Sequence, residues 1–481
     1  LDLPVLSSPR GTTATPLSPL SLPALLTGGN VTGATGVTVT NGVVRLTGGG
    51  TVIPTDSGTA IVSGNLSTAS AGSAAQIQVL GDQVGLLSAN LDASGGTGGG
   101  TILIGGDYQG QGTTPTAQST FVSNDSVIRA DALSSGNGGK VIVWADGTTR
   151  FHGSISAQGG GLGGNGGFVE TSGKQMLDIA GGRVSARAAA GRSGVWLLDP
   201  TDIEIVTGGA GLPVAGIFDP PTTGIASQID PTAIVTVLDA GTDVIITTNS
   251  GTGGNGDITL TDSINQTGGG GASLTLTGRQ FLRPGLATIN LSSTGGLIFN
   301  LNQVNPELAP PGSSIQAAID AIGTINGLST INIGAGTYTL TTPLNINKSL
   351  TLNGVPGVGL STLSGNNATR VMNIAGATTN VTLSNLTIQN GLAFSGGGIF
   401  NDGSNLTILN STFAGNRAIG GNGANGSATG AGGGGGGGAG LGGALFSTGG
   451  TIAILNSTFA SNQAIGGNGG AGFANNGGFS G

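Results

Sequence analysis

The sequence contains no cysteine. Disulfide scaffolds, thiolate metal sites and cysteine nucleophiles are therefore excluded, while the cellular compartment stays open. Charge is also scarce: Asp, Glu, Lys and Arg make up 7% of the 481 residues, against roughly a quarter in an ordinary domain. The net charge is −8 and there are two tryptophans. Nucleic-acid binding wants a basic face and stacking rings, so that class is excluded too. No apolar run reaches the roughly 18 residues needed to span a bilayer. The early stretch "LSPLSLPALL" is short, interrupted by proline and preceded by no basic segment, which makes it a poor signal peptide. Beginning at Leu1, the chain reads as a mature fragment or a piece of something larger.

What is present is glycine, 99 residues of it, about three times the usual share. The glycines have no strict period of three over the chain, and proline is modest, so collagen is excluded. The chain is slightly apolar, with a mean hydropathy of +0.23, which does not fit a simply disordered polymer. Thr, Val, Ile, Leu, Asn and Ala fill the remainder, and these are strand and turn residues.

Repetition organises this material. Between about residues 65 and 205, pairs of short alternating segments recur. The first members are "NLSTAS", "NLDASGG", "VIRADA", "SISAQGG" and "RVSARAA"; the second are "AQIQVLG", "GTILIGG", "GKVIVWA", "GFVETSG" and "GVWLLDP". The step from first aliphatic to second is 11 residues for Leu66 to Ile77 and for Leu91 to Ile102. It is 13 for Ile128 to Val141, 14 for Ile155 to Val169 and 11 for Val184 to Val195. Regular short strands separated by glycine turns, with almost no helix between them, predict a parallel β-helix. A tighter repeat lies near the C-terminus. "ILNSTFAGNRAIGGNG" at Ile408 and "ILNSTFASNQAIGGNG" at Ile454 match at fourteen of sixteen positions, 46 residues apart. One coil stacked on another explains it, because each residue then lies over its equivalent about 4.8 Å away. This assigns a structural stack of Ile408, Asn410, Phe413 and Asn416 over Ile454, Asn456, Phe459 and Asn462, with the asparagines pointing inward as amide ladders. Phe413 and Phe459 are both expected to be buried. "NLTIQN" at Asn385 and "NLTILN" at Asn405 align 20 residues apart, about one circuit of a three-sided coil.

The expected fold is all-β: a right-handed parallel β-helix in two joined segments, with one short helix near 314–322. In "SSIQAAIDAIGTI", Ile315, Ala318, Ile319 and Ile322 fall on one face, and Ser314 is placed to cap. Residues 1–30 read as an extended Pro/Ser/Thr-rich arm and 31–205 as the first β-helix. Residues 206–312 read as further coils with Pro-rich connections, where alternation lapses around 206–235. Residues 313–481 are the second β-helix, with Gly-rich excursions at 419–441 and 465–481. The excursion 419–441 has few side chains to bury and is expected to lie outside the coil core.

Two resemblances follow from these residues. The stretch "GGGTILIGGDYQG … GNGGKVIVWADGTTRFHGSISAQGGGLGGNGGFVETSGK … LLDPTDIEI", residues 98–205, resembles filamentous-haemagglutinin-type exoproteins of two-partner secretion. The resemblance extends over about 65–305. The elements "SSIQAAIDAI" and "GAGTYTLTTPLNINKSLTLNG" resemble pectin-lyase-like β-helices. Within that segment, Phe413–Asn416 and Phe459–Asn462 resemble the "FxxN" elements of polymorphic outer-membrane proteins. The first resemblance implies secretion through a partner outer-membrane pore and an extracellular or cell-surface location.

Candidate chemistry is thin. Pectin-lyase-like enzymes need clustered carboxylates or calcium ligands with a base. From 313 to 481 the charged residues are Asp320, Lys348, Arg370, Asp402 and Arg417, and no acid pair can be made from them. Asp199, Asp202 and Glu204 form the densest acid cluster and read as a solvated strand and turn rather than a calcium site. "GGTGGNGDITL" near Gly253 has its aspartate one position early for a calcium-binding nonapeptide and reads as a plain turn. "GLGGNG" at Gly161 has dinucleotide-motif spacing without the helix that motif needs. His152, the single histidine, reads as a surface residue on one face with Arg150 and Ser154. The sequons at Asn30, Asn405 and Asn410 read as bends and strands. No catalytic residue, metal or cofactor is expected. The expected function is a secreted, non-enzymatic adhesin or extracellular fibre subunit, self-associating end to end, with neither nucleic acid nor a membrane span. The alternative is a carbohydrate-binding or carbohydrate-acting β-helix, for which Tyr108, Trp144 and Trp196 are the candidate outer platforms.

Overall fold

The computed structural model describes residues 58–209, 216–218, 226–249, 254–302, 313–355, 359–427 and 433–472, together with the backbone of the strands Leu6–Pro9, Val37–Thr40, Val43–Leu46 and Val52–Ile53. The expected arm 1–30 falls outside these, apart from Leu6–Pro9, which runs antiparallel to Gly58–Ser67. So do the Pro-rich connection around 220, the boundary at 305–312, the tip 428–432 and the last nine residues. The fold is an all-β parallel β-helix. The chain divides into two compact units: Leu1–Ile298 with Gly323–Leu328, and Phe299–Ile322 with Ser329–Gly481.

In the first unit, the repeated segments of the sequence become columns of parallel strands. One column runs Leu66–Leu91–Ile128–Ile155–Val184. A second runs Ile77–Ile102–Val141–Val169–Trp196 and continues to Val244 and Leu274. All of these side chains are buried, which is what drives β-branched and aliphatic residues to stack in register. The second column departs from the sequence reading at its fifth member. Val169 is paired with Trp196, not Val195, so Trp196 points inward and Val195 outward. Strands alternate faces with a period of two, and a one-residue slip inverts the assignment. Trp196 is 1% exposed and donates its indole N–H to Thr171 Oγ1 at 2.9 Å. It is no outer platform.

Glycine corners precede this second column. A Cβ added at Gly99, Gly138 or Gly166 would lie 2.0, 2.1 or 1.8 Å from the carbonyl oxygens of Ala130, Ala157 or Ala186. The coils therefore touch backbone to backbone there, which only glycine permits.

A second helix, Pro231–Asp239, was not expected from the sequence. It packs against the strands Arg183–Ser185, Asp243–Thr247 and Ile264–Asn265. Asp230 is its N-cap, accepting from Thr232 N–H at 2.8 Å, and Pro231 opens the first turn. Ile234, Val237 and Leu238 form its buried face. The stretch "IDPT", inside the region where alternation lapses, is a helix start, since proline at the first helical position follows a capping aspartate.

The second unit has three principal faces. The first stacks Ser329–Ile333, Leu350–Gly354, Asn380–Ser384, Asn405–Leu409 and Ile452–Leu455. The second stacks Gly336–Thr339, Ser361–Ser364, Leu386–Gln389, Thr412–Ala414 and Thr458–Ala460. The third stacks Leu344–Ile346, Met372–Ala375, Ile399–Asp402 and Leu445–Ser447. The helix Ser313–Ala321 packs against Ser329–Ile333 and Leu344–Ile346 with Ile315, Ala318 and Ile319 buried. Ser314 sits within its first turn, buried, rather than flanking it. Lys348 Nζ donates to the carbonyls of Ile319, Asp320 and Ile322 at the helix C-terminus, where orphan acceptors and the negative end of the helix dipole favour an ammonium.

The 20-residue alignment of "NLTIQN" with "NLTILN" does not hold. Asn405 stacks over Asn380, 25 residues back, and the strand Leu386–Gln389 lies on another face, under Thr412–Ala414. Both segments read Asn-Leu-Thr-Ile, so composition alone aligned two different sides. No helix among the described residues is long and apolar enough to cross a membrane.

The Gly-rich excursion is ordered by its neighbours. Gly420, Gly423 and Gly426 donate N–H to the carbonyls of Ile465, Asn468 and Ala471 at 2.8, 2.8 and 2.9 Å. Gly467 and Gly470 donate to Gly438 and Gly435, and Gly438 and Gly435 donate to Gly421 and Ala424. Three segments thus close a cycle of hydrogen bonds with one bond per three residues. That is the period of the polyproline-II conformation, in which glycine fills each crowded axial position. The described parts of the excursion are neither coil core nor a loose loop.

Candidate functional site

The predicted stack is assembled with the proposed partners. Ile408 lies over Ile454 and Phe413 over Phe459. The two phenyl rings are 4.7 Å apart and 3° from parallel. Asn416 is fully buried. It donates Nδ2–H to Ile388 O and to Asn462 Oδ1, and accepts from Gly391 N–H, all at 2.9 Å. Asn462 in turn donates to Phe413 O at 2.9 Å. This asparagine ladder closes a bend whose backbone groups would otherwise go unpaired.

Two expectations fail within the stack. Asn410 and Asn456 are exposed and left-handed, at φ 47° and 49°. They turn the chain from the first face to the second, a conformation asparagine tolerates, and they form no inner ladder. Phe459 is 43% exposed and Ile454 45%, because among the described residues nothing stacks on the outer side of their coil.

A different site lies on the first unit; it contains Tyr108, Trp144 and Asp199, which the sequence offers separately and does not bring together. The loop 105–118 leaves the strand Thr101–Ile104 and folds back over the outer face of Lys140–Ala145 and Phe168–Gly173. It covers an apolar strip of Leu103, Ile142 and Trp144, against which Phe168 packs. Gly110, at φ 62°, lets the loop lie on the indole; a Cβ there would sit 2.6 Å from Trp144 Cζ2. Tyr108 meets Phe168 edge-on at 5.7 Å, and Lys140 pairs with Asp107 at 2.5 Å.

Gln109 holds the loop down. It sits at φ 51°, ψ 30°, an uncommon region for a residue with a side chain. Its backbone N–H lies 3.2 Å from both oxygens of Glu170, and its Nε2 donates to Asp199 Oδ2 at 2.8 Å. Asn249 Nδ2 donates to Asp199 Oδ1 at 2.7 Å, and Asp199 N–H donates to Ser172 Oγ at 3.1 Å. Glu170 is fully buried and Asp199 is 5% exposed. Burial pushes the Glu170 carboxyl up to about 7, aided by the charge of Asp199 and opposed by hydrogen bonds from Gln109 and Ser172 and by the charge of Lys140. Burial likewise pushes Asp199 up to about 6, against the amides of Gln109 and Asn249. Desolvation of the charged form is the physical cause in both.

Beside this latch opens a cleft of about 460 Å³, lined by Gln109, Gln111, Gln118, Trp144, Asp146, Lys174, Gln175, Asp199, Pro200, Thr201 and Asn249. Its floor is buried: Trp144, Asp199, Pro200 and Thr201. Asp146 is fixed by Thr116 Oγ1 at 2.6 Å and by the indole N–H of Trp144 at 3.3 Å. The side chains of Gln111, Gln118 and Gln175 and the Lys174 ammonium are exposed at the rim.

The acid cluster expected to be solvated is instead divided among three partners. Asp199 faces the cleft. Asp202 Oδ1 accepts from the N–H groups of Asn255, Gly256 and Asp257 at 3.0, 2.7 and 2.8 Å, which pins the "GGNGD" turn. Glu204 accepts from Gln228 and Thr261 at 2.9 and 2.7 Å. Among the described residues no three His, Asp or Glu side chains converge as a metal site.

The surface reading of His152 needs correcting for its neighbourhood. Arg150 is 2% exposed and donates to Ile217 O at 3.1 Å, so residues 216–218 cover that face. His152 is half-buried, with Nδ1 2.8 Å from Ala180 O and its ring edge-on to Phe121. Of the outer platforms, Tyr108 is 41% exposed while Trp144 is 3%.

No family model matches the chain, and no curated protein matches it either.

Proposed function

We propose that the protein is a secreted, non-enzymatic surface protein, an adhesin or fibre subunit that works by presenting a long repeated surface. The observation that carries this reading is the outward chemistry of the second unit. Thr330, Thr351, Thr382 and Thr407 form one outward, part-exposed column; a second threonine column, Thr337, Thr362, Thr387, Thr412 and Thr458, is exposed or part-exposed except at Thr362 and Thr387, which are buried. The acids there are far apart in role: Asp320 accepts from Gln316, and Asp402 from Thr448. General acid–base work needs two groups converging on one reacting atom, and this arrangement offers none. In the first unit, Glu170 and Asp199 are spent on Gln109 and Asn249, and Glu170 has no exposed surface. The resemblance of residues 98–205 to haemagglutinin-type exoproteins supports the same reading, along with export through a partner pore and a cell-surface location.

The amide-lined cleft favours the carbohydrate-binding alternative in one form: an adhesin whose ligand is a glycan. The reading is tested with beads coated in the full chain. Saturable adherence to cells or matrix, with no depolymerisation of pectin or alginate, is the expected result. Turnover abolished by a single Asp substitution would overturn it.

A further inference from the structure

We infer that the cleft beside the loop 105–118 is a binding site for a neutral saccharide, which deepens the adhesin reading and rests on it for biological meaning only. The volume of about 460 Å³ lies within the roughly 300–1,000 Å³ of small-molecule sites. Its chemistry is unlike the rest of the protein. Five of the eleven lining residues are primary amides and three more are charged, in a chain that is 7% charged. Amides offer donor and acceptor side by side, which matches the paired hydroxyls of a sugar ring. Carboxylates accept from such hydroxyls and an ammonium donates to them. Trp144 adds an apolar edge at the floor.

The charge pattern narrows the ligand. Asp146 and Asp199 lie within the cleft and Lys174 stands at its rim, so an acidic sugar would meet at least as much repulsion as attraction. A metal ion is poorly served, because among the described residues no third Asp, Glu or His joins Asp146 and Asp199. The amides of Gln111, Gln118 and Gln175 make no hydrogen bond with any described residue. They are donors and acceptors left for a ligand.

The site is also built rather than incidental. Gln109 is held in a left-handed conformation by two carboxyl groups that are 95% or more buried, so its position in the cleft wall is set before any ligand arrives. Backbone held in a sparsely populated region by surrounding structure is a feature of binding sites, and prior fixation lowers the cost of ordering on binding.

The test uses the full 481-residue chain against an array of unsubstituted hexose and N-acetylhexosamine mono- to trisaccharides, with uronic and sialylated sugars as comparators. Hits are titrated by calorimetry and by tryptophan fluorescence, since Trp144 lines the cleft. The expected result is saturable binding of at least one neutral saccharide. Gln175→Ala and Asn249→Ala, both at exposed positions, should each weaken it about three- to tenfold; Gln175→Ala should leave the thermal transition in place, whereas Asn249→Ala also removes a donor to buried Asp199 and should lower it. Should either variant disturb folding, Gln118→Ala is an independent rim substitution read the same way. Binding by acidic sugars alone, no saturable binding of any neutral sugar, or affinity unchanged in the Gln175→Ala/Asn249→Ala double variant would each overturn the assignment. Bead adherence is scored separately: its loss with saccharide binding intact sinks the adhesin reading and leaves the cleft standing.

Discussion

Replacing Gly467 by Ala should undo the glycine bundle, while the same change one residue earlier should not. At Gly467 an added Cβ would lie 2.0 Å from Gly421 O, 2.5 Å from Gly421 C and 2.7 Å from Gly420 O. These are backbone atoms, and real Cβ atoms do not approach within 3.0 Å of such neighbours, so the chains must move apart by about 1 Å or more. Three hydrogen bonds span that point: Gly467 to Gly438, Gly438 to Gly421, and Gly420 to Ile465. At a net contribution of about 0.5–1.5 kcal/mol each, their loss costs about 1.5–4.5 kcal/mol locally. At Gly466 the nearest atom to an added Cβ is Gly438 O at 3.8 Å, an ordinary contact. Ala there restricts the unfolded chain and should be neutral or stabilise by about 0.4–1 kcal/mol. The neighbouring variants should therefore differ by about 2–5 kcal/mol in opening free energy. Gly469 and Gly470 repeat the contrast, at 3.8 and 2.0 Å. Amide hydrogen exchange at Gly420, Gly438 and Gly467 reads this directly, with limited proteolysis across 419–441 as a second probe. Equal protection in Gly466→Ala and Gly467→Ala would refute the three-segment arrangement.

Three further outcomes follow from the geometry. Phe413→Ala, at a fully buried position, should cost about 3–5 kcal/mol in chemical denaturation, and Phe459→Ala, 43% exposed, no more than about half of that; equal costs would contradict the stacking order. Asn416→Ala strands Ile388 O and Gly391 N–H and should cost about 2–4 kcal/mol, whereas Asn410→Gly, at a left-handed exposed bend, should be nearly silent. Folded-state values raised to about 7 for Glu170 and about 6 for Asp199 mean the native state holds protons that the unfolded chain releases near its ordinary values of 4.5 and 3.8. That stability is complete below those values and is lost as pH rises through about 6 and 7. It amounts to about 3 kcal/mol for each group. Glu170→Gln should flatten its share of the slope, and a wild-type stability that rises between pH 4.5 and 7 would refute the assignment of these two groups.

The sequence carried the coil columns because their cause is local and repeated. An inward aliphatic residue every second position, in segments spaced by glycine turns, placed nine of the ten paired residues from Leu66 to Val169 and Trp196 correctly. The tenth, Val195 against Trp196, differs by one position, and in "GVWLL" four apolar residues follow one another, so alternation gives no phase. The helix Pro231–Asp239 was hidden by its composition: Thr, Ile and Val favour strands, and Asp-Pro occurs in connections as well as at helix starts. The cleft was legible only in pieces: Trp144 and Asp199 stand out singly in the sequence, and their convergence does not. Glu170 and Asp199 sit 29 positions apart on adjacent coils, and Gln109, a further 61 from Glu170, reaches them only through the fold-back of a loop. Its faint signal was the run "GGDYQGQGTTP", where alternation stops and glycine frees the backbone. The asparagines divided by environment: Asn416 is a buried ladder and Asn410 a bend, though both stand in the same repeat.

The hydrogen-bonded glycine cycle imposes a reading frame on part of the chain. An axial glycine recurs at every third residue, at 420, 423 and 426 and again at 467 and 470, and the residues between them face outward. Adding or removing one or two residues inside these segments would bring an outward residue such as Asn422 or Asn468 to the axis, where no side chain fits. Adding three leaves every neighbour in place and lengthens the bundle by one further hydrogen bond. Length here can therefore change in triplets, while the strands beside it, where faces alternate, can change only in pairs.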